Sequence, residues 1–209
     1  MSDPTFDRRF WEDRWAQALH DHADQVARRP PNEHLVAEIA NLRPGVALDA
    51  GCGHGSEALW LAARGWHVTA VDFSSTALAF ARSTAEEIGT EFAARIDWVE
   101  GDLATWTPQL DHYDLVLSLY VHVTGSVEAM VQRLAAAVAP GGTLFMVGHR
   151  PFDPATGAET AAAGQVQVSV EAAIAALDPN QWTFEMADDR PRSVTGTGVD
   201  AVIRAQRHA

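Results

Sequence analysis

From Val46 onward, short apolar runs alternate with amphipathic stretches, and this alternation restricts the fold more than any other feature. Runs at Val46–Asp49, Trp66–Val71, Ile96–Val99, Tyr113–Leu119 and Thr143–Val147 predict five strands, with weaker ones at Trp182–Met186 and Val199–Ala205. Between them, Gly65 closes one helix, and Ser74 or Ser75 caps a second that Gly89 closes. Ser126 caps a helix with Met130, Leu134 and Val138 on one face, ending at Pro140, and Pro179 stops a helix at Val170–Leu177. Strand alternating with helix builds βαβ units, hence an α/β fold with a mostly parallel sheet and helices on both faces. Tyr113–Leu119 is almost continuously apolar after Asp114, as suits a strand buried on both faces. In such an open sheet, ligands lie at the carboxyl ends of the strands. The loops after the strands are therefore where chemistry is expected.

The 209 residues fit one domain, and a 47% hydrophobic fraction is that of a folded chain. A net charge of −13 repels polyanions, so nucleic acid is not an expected partner. The single cysteine, Cys52, is compatible with a reducing compartment. Acids stand where a signal peptide would need basic residues, and no apolar run approaches the roughly 20 residues of a membrane helix. These features favour the cytoplasm, with no membrane partner.

The first loop reads Leu48-Asp49-Ala50-Gly51-Cys52-Gly53-His54-Gly55. Alternate glycines let a ligand approach the backbone, and the helix behind them offers amides to an anion. A dinucleotide fingerprint wants its third glycine or an alanine at Ser56, but here it falls at Gly55. The acid Asp49 suits a ligand carrying an ammonium group better than a pyrophosphate. Asp72 ends the second strand, about 20 residues past the glycines, where an acid accepts both hydroxyls of a ribose. Phe73 beside it can stack on an adenine, and Asp102, in Glu100-Gly101-Asp102-Leu103, can accept from that adenine's exocyclic amine.

Together these pieces resemble the class I S-adenosylmethionine-dependent methyltransferases. The resemblance rests on Leu48–Gly55, Val71–Ser74, Gly101–Leu103, Tyr113–Leu119 and Pro140-Gly141-Gly142-Thr143-Leu144. It implies a Rossmann-like sheet of seven strands, the last antiparallel, and S-adenosylmethionine as cofactor, leaving as S-adenosylhomocysteine. It implies a methionine moiety at Asp49, Gly51 and Gly53, a ribose at Asp72, and an adenine between Phe73 and Asp102–Leu103, with Cys52, Ser74, Gly101 and Trp15 also cofactor-binding. Backbone near Ser118 is implied to hold the methionine amino group. The chain divides into a helical lid segment (1–42), a cofactor-binding core (46–148), and a substrate-side loop with C-terminal strands (149–209). Phe10-Trp11-Glu12-Asp13-Arg14-Trp15 also resembles the lid helix of the thiopurine and tellurite-resistance branch.

The expected reaction is methylation of oxygen, nitrogen or sulfur on a small molecule. One rival is a detoxifying methyltransferase for thiols or metalloid oxyanions, in which histidines are dispensable. Another is a nucleotide-binding regulator or nicotinamide enzyme on the same kind of sheet. His122 follows the fourth strand and His149 the fifth, so both are candidate bases for a hydroxyl acceptor. Tyr120 lies in the same loop as His122, and Arg150 beside His149 can meet an acidic substrate group. Trp11 and Trp15, four residues apart on one helical face, suit a lid, with Trp15 over the cationic sulfonium and Trp11 toward substrate. Cys52 reads as a packed residue, His54 as one that shapes the cofactor site, and His20-Asp21-His22 as a solvated face. No metal site is visible.

Overall fold

The computed structural model describes residues 7–122, 125–153, 155–160, 162, 164–192 and 198–209. Phe6, placed by sequence in the lid segment, lies outside them. The strands form one seven-stranded sheet in the order β3-β2-β1-β4-β5-β7-β6. By contact, the chain divides into two compact units, with the boundary after Trp106.

In the first unit, β1 (Val46–Ala50), β2 (His67–Asp72) and β3 (Ile96–Glu100) pair in parallel, β2 with both others. The crossovers are α3 (Ser56–Ala62) and α4 (Ser75–Ile88). Ser74 caps α4, its side chain accepting from Ala77 N at 3.1 Å, and Ala77, Ala81 and Ala85 bury one face of that helix at four-residue spacing. Leu48, Ala50, Leu61, Ala70 and Val71 fill the core. Ahead of the sheet lie α1 (Arg8–Ala27), kinked at His22, and α2 (Glu33–Ile39). A four-residue helix, α5 (Thr90–Ala93), was not legible in the sequence.

In the second unit, β4 (Tyr113–Leu119) occupies the predicted span and pairs in parallel with β5 (Val138–His149). Leu115, Val116, Leu117 and Ser118 are all buried, as the apolar run requires. Ser126 caps α6 (Val127–Ala137), which presents Met130, Val131 and Leu134 to the core. That helix ends before Pro140, and Pro140-Gly141-Gly142 is already strand, where a helix end was expected. After α7 (Val170–Ala176), β6 (Trp182–Pro191) and β7 (Val199–Arg207) are both antiparallel to their neighbours, with β7 between β5 and β6. The β5–β7 register sets His149 opposite Asp200. No helix among the described residues is long and apolar enough to cross a membrane.

Candidate active site

The glycine loop turns its amides inward. Gly51 N and Cys52 N both donate to Val71 O, at 2.8 and 3.0 Å, and Gly55 N donates to Cys52 O. Gly53 N donates to Asp72 Oδ2 at 2.8 Å, while Ser74 N donates to Asp72 Oδ1 at 2.9 Å. Gly51 and Gly53 carry positive φ of 85° and 52°, which glycine adopts without penalty. Ala58 N–H of α3 donates to the chain's own Asp49 carboxylate, which brings an acid to the first turn of that helix.

Asp49 is the site's main electrostatic feature. It is 2% exposed, and its Oδ2 has no hydrogen-bond partner. Burial pushes its carboxyl well up, and the charges of Glu57 and Asp72 push the same way, against the pull of Ala58 N–H. A cation beside Asp49 relieves all three at once. Burial also raises the Asp72 carboxyl, opposed by the amides of Ser74, Gly53 and Phe73. Cys52 is buried, and burial followed by the charges of Asp49 and Asp72 pushes its thiol well up, the opposite of a reactive cysteine.

The rest of the predicted cofactor loops surround this pair. Phe73 is half-buried next to Asp72, and Gly101 N donates to Asp72 O at 3.0 Å. Asp102 is exposed and accepts from Ala104 N at 2.8 Å, with Leu103 half-buried beside it. The sequence did not anticipate that Gly55 and Gly101 make room for indoles. An added Cβ would lie 2.6 Å from Trp98 at Gly55, and 3.0 Å from Trp106 at Gly101.

Three tethers draw α1 across these loops. Trp15 lies against Gly53, where an added Cβ would come within 2.8 Å of the indole, and it packs on the His54 ring at 5.5 Å. Glu12 Oε1 accepts from Thr76 N at 3.1 Å, and Arg8 pairs with Glu100. Burial raises the Glu12 carboxyl, but hydrogen bonds from Ser74, Thr76 and Ser75 outweigh it and hold the group below its ordinary value. Trp11 is half-buried and carries Arg14 over its ring at 5.8 Å.

His54 gives a pH-dependent expectation. Burial first, and the Arg29 charge second, push its imidazole down to about 4, so the fold favours the neutral ring. In the unfolded chain the ring takes a proton below about 6.5. Between those values the unfolded state binds more protons, so stability is lost as the pH falls through this window. The melting temperature of the wild type is expected to drop more steeply from pH 7 to pH 5 than that of His54→Gln. Parallel curves would remove His54 as a cause.

In the second unit, both predicted histidines belong to one network. His149 Nδ1 stands 2.9 Å from Asp200 Oδ1, and His149 N donates to Gln167 Oε1 at 2.7 Å. Gln167 Nε2 meets His122 Nε2 at 3.0 Å. Tyr120 OH donates to Asp200 Oδ2 at 2.8 Å, and its ring stacks on His149 at 4.0 Å between centroids. Arg192 Nε donates to Asp200 Oδ1 at 3.0 Å, and Arg192 also touches His149 Nδ1. Ser118 is buried on β4, in register with Met146. The Arg150 guanidinium is held by Glu171 at 2.9 Å and Asp189 at 3.1 Å, so its charge is already balanced within the protein. Asp200, Gln167 and Arg192 escaped the sequence reading. The one local signal was an acid, Asp200, set in the apolar run Val199–Ile203.

The seven-stranded sheet with its helices is the Rossmann-like fold of solved S-adenosylmethionine-dependent methyltransferases. A family profile described as a methyltransferase domain matches residues 47–142. The chain is 32% identical to the trans-aconitate 2-methyltransferase of Paracidovorax citrulli, over 62% of this chain and 48% of that protein. It is 36% identical to the ubiquinone biosynthesis O-methyltransferase of Aeromonas salmonicida, over 47% of this chain and 41% of that one. The chain thus spans about half the length of the curated relatives it matches. Among solved structures, the magnesium protoporphyrin IX methyltransferase of Synechocystis PCC 6803 with bound SAH superposes with a TM-score of 0.66. The match has 18% identity and covers 96% of this chain and 99% of that one.

Proposed function

We propose that the chain transfers a methyl group from S-adenosylmethionine to a small-molecule acceptor, at oxygen, nitrogen or sulfur. The observation that carries this reading is Asp49, a buried carboxylate with one oxygen lacking a partner, at the start of a loop whose glycine amides are spent internally. Such a loop offers a dinucleotide phosphate little and a cationic amino acid a counter-charge. In this reading Asp49, Gly51, Cys52 and Gly53 hold the methionine moiety and Asp72 the ribose. Phe73, Ser74, Gly101, Asp102 and Leu103 surround the adenine. Bound there, the cofactor supplies an electrophilic methyl group; the protein binds it, orients it and shields it. The helix α1 serves as the lid, with Trp15 over the glycine loop. Relatives named for small-molecule methylation support the acceptor class.

The test is a thermal shift with S-adenosylhomocysteine against NAD, since a ligand that binds only the folded state raises the melting temperature. S-adenosylhomocysteine is expected to stabilise the protein and NAD to leave it unchanged; the reverse result overturns the reading. Hydrogen exchange in the same samples is expected to show α1 gaining protection with S-adenosylhomocysteine. Equal, strong protection in both states would make α1 fixed packing and not a lid.

A further inference from the structure

We propose that Asp200 positions His149 as the base that takes the proton of the methyl acceptor, and that this acceptor is a hydroxyl compound, an alcohol or phenol, not a carboxylate. The proposal rests on the methyl-transfer reading above.

Asp200 is an acid set in the apolar run Val199–Ile203 of β7, where burial would favour an uncharged side chain. Asp200 is 0% exposed, and both its oxygens are engaged. Oδ2 accepts from Tyr120 OH, while Oδ1 faces His149 Nδ1 and accepts from Arg192 Nε. Despite burial, which raises it, the Asp200 carboxyl stays below its ordinary value through its bonds with His149, Tyr120 and Arg192. It is a buried charge built to remain charged.

Nδ1 of His149 meets two groups that make opposite demands. Asp200 requires a proton on it, and Arg192 requires a lone pair. Asp200 is fully buried and cannot turn away, whereas the Arg192 side chain is 31% exposed and keeps its Nε bond to Asp200 if its outer nitrogen swings to solvent. The carboxylate therefore decides: Nδ1 carries the proton, and Nε2, on the opposite edge of the ring, carries the lone pair. The His149 side chain is 22% exposed, so the ring is open in part to a small molecule. Tyr120 fixes the ring from its face. It does so from a left-handed backbone, φ 57°, a costly conformation for an aromatic residue.

The same network removes His122 as the base. Gln167 Oε1 accepts from His149 N, which fixes the amide orientation and turns Nε2, a donor only, toward His122 Nε2. That ring nitrogen is thereby an acceptor already in use.

Charge balance chooses the acceptor. Arg192 is neutralised by Asp200, and Arg150 by Glu171 and Asp189. Neither presents a surplus cation to a carboxylate substrate. A carboxylate nucleophile also has no proton to lose at neutral pH, so a supported base is idle with it. A hydroxyl acceptor uses the base. As the O–H proton passes to His149 Nε2, an oxygen electron pair forms the bond to the methyl carbon. The C–S pair returns to sulfur, which becomes a neutral thioether. The imidazolium, stabilised by Asp200, then releases its proton to water. Among the described residues, the charged and titratable groups facing His149 are Asp200 from β7, Arg192 after β6 and Tyr120 after β4, with His122 reached through Gln167.

Two measurements test this. The first is nitrogen-15 NMR of the full-length wild type, with the His149 signals assigned through His149→Asn. A protonated Nδ1 and a bare Nε2 are expected. A protonated Nε2 overturns the proposal whether or not the protein binds S-adenosylhomocysteine, and without any acceptor. The second is turnover across catechol, benzyl alcohol, trans-aconitate and 2-mercaptoethanol. A hydroxyl compound is expected to be methylated; turnover of trans-aconitate alone overturns the acceptor class. With the accepted hydroxyl compound, His149→Asn is expected to lower kcat by about 100-fold or more, and His122→Asn to act mildly. Asp200→Asn should lower kcat about 10-fold or more and move the acid limb of the rate profile to lower pH, because the imidazolium loses its counter-charge. His149→Asn and Asp200→Asn should both keep wild-type affinity for S-adenosylhomocysteine. Wild-type kcat in both variants sinks the base while leaving methyl transfer standing. Failure of the wild type to bind S-adenosylhomocysteine sinks the methyl-transfer reading itself.

Discussion

Alanine at Asp72 is expected to weaken the binding of S-adenosylhomocysteine by about 100-fold, the equivalent of losing hydrogen bonds to a charged acceptor. The structure gives this residue two duties. Its oxygens accept from Gly53 N and Ser74 N, so one carboxylate ties the glycine loop to the cap of α4. With Phe73 N–H also bonded to the carboxylate, acceptor capacity remains that the proposed ribose hydroxyls would use. Alanine removes both sets of bonds. Asparagine is nearly as harmful despite its shape, because its NH2 must face one of two backbone N–H donors. Titration calorimetry on both variants is the measurement. Unchanged affinity in Asp72→Ala would end the assignment of the β2 acid to the ribose, and weak binding confined to the alanine variant would deny the donor clash.

Alanine at Gly148 is expected to cost about 3 kcal/mol of stability, at the upper end of what overpacking a buried site does. A Cβ there would stand 2.2 Å from Val168 O and 3.1 Å from Val168 C. These are backbone atoms, with no rotamer to escape into. In a chain of this length about 3 kcal/mol corresponds to a fall of roughly 6–12 °C in melting temperature, which scanning calorimetry resolves. The contact also holds Gln167, next to Val168, between the two histidines. Gly148→Ala should therefore lower turnover as well as stability. A variant melting with the wild type would show that the 165–168 segment does not lie against β5 in solution.

The first unit was legible in the sequence because its determinants are local. Asp49 and Asp72 each sit at a strand end, Ser74 is a cap within a turn of its helix, and the glycines lie between them. Tyr113–Leu119 was legible for the same reason, since burial on both faces leaves an uninterrupted apolar run. The missed pieces depend on pairing. Asp188-Asp189-Arg190 does not read as strand, yet β6 runs through it. Among the described residues it is an edge strand paired with β7 alone, where Asp188 is exposed and Asp189 meets Arg150. Pro140-Gly141-Gly142 joins β5 because the ladder to β4 shifts register between Tyr113 and Leu115, where a missing N–H is tolerated. Asp200 is the clearest case. It is 51 residues from His149, and only the antiparallel register of β7 on β5 makes the two neighbours. Separation along the chain likewise concealed that Arg150, expected beside a substrate, is balanced by Glu171 and Asp189.

The placement of β7 between β5 and β6 also sets an order of assembly. Among the described residues β6 pairs with β7 alone, so this antiparallel pair joins the rest of the sheet only through the docking of β7 on β5. Such long-range pairing closes slowly, after local helices and hairpins have formed. Until it closes, His149 has no carboxylate behind it and the β5 edge is open to other strands. Until then the chain is prone to association through that edge, and the docking of β7 both closes the edge and brings Asp200 to His149.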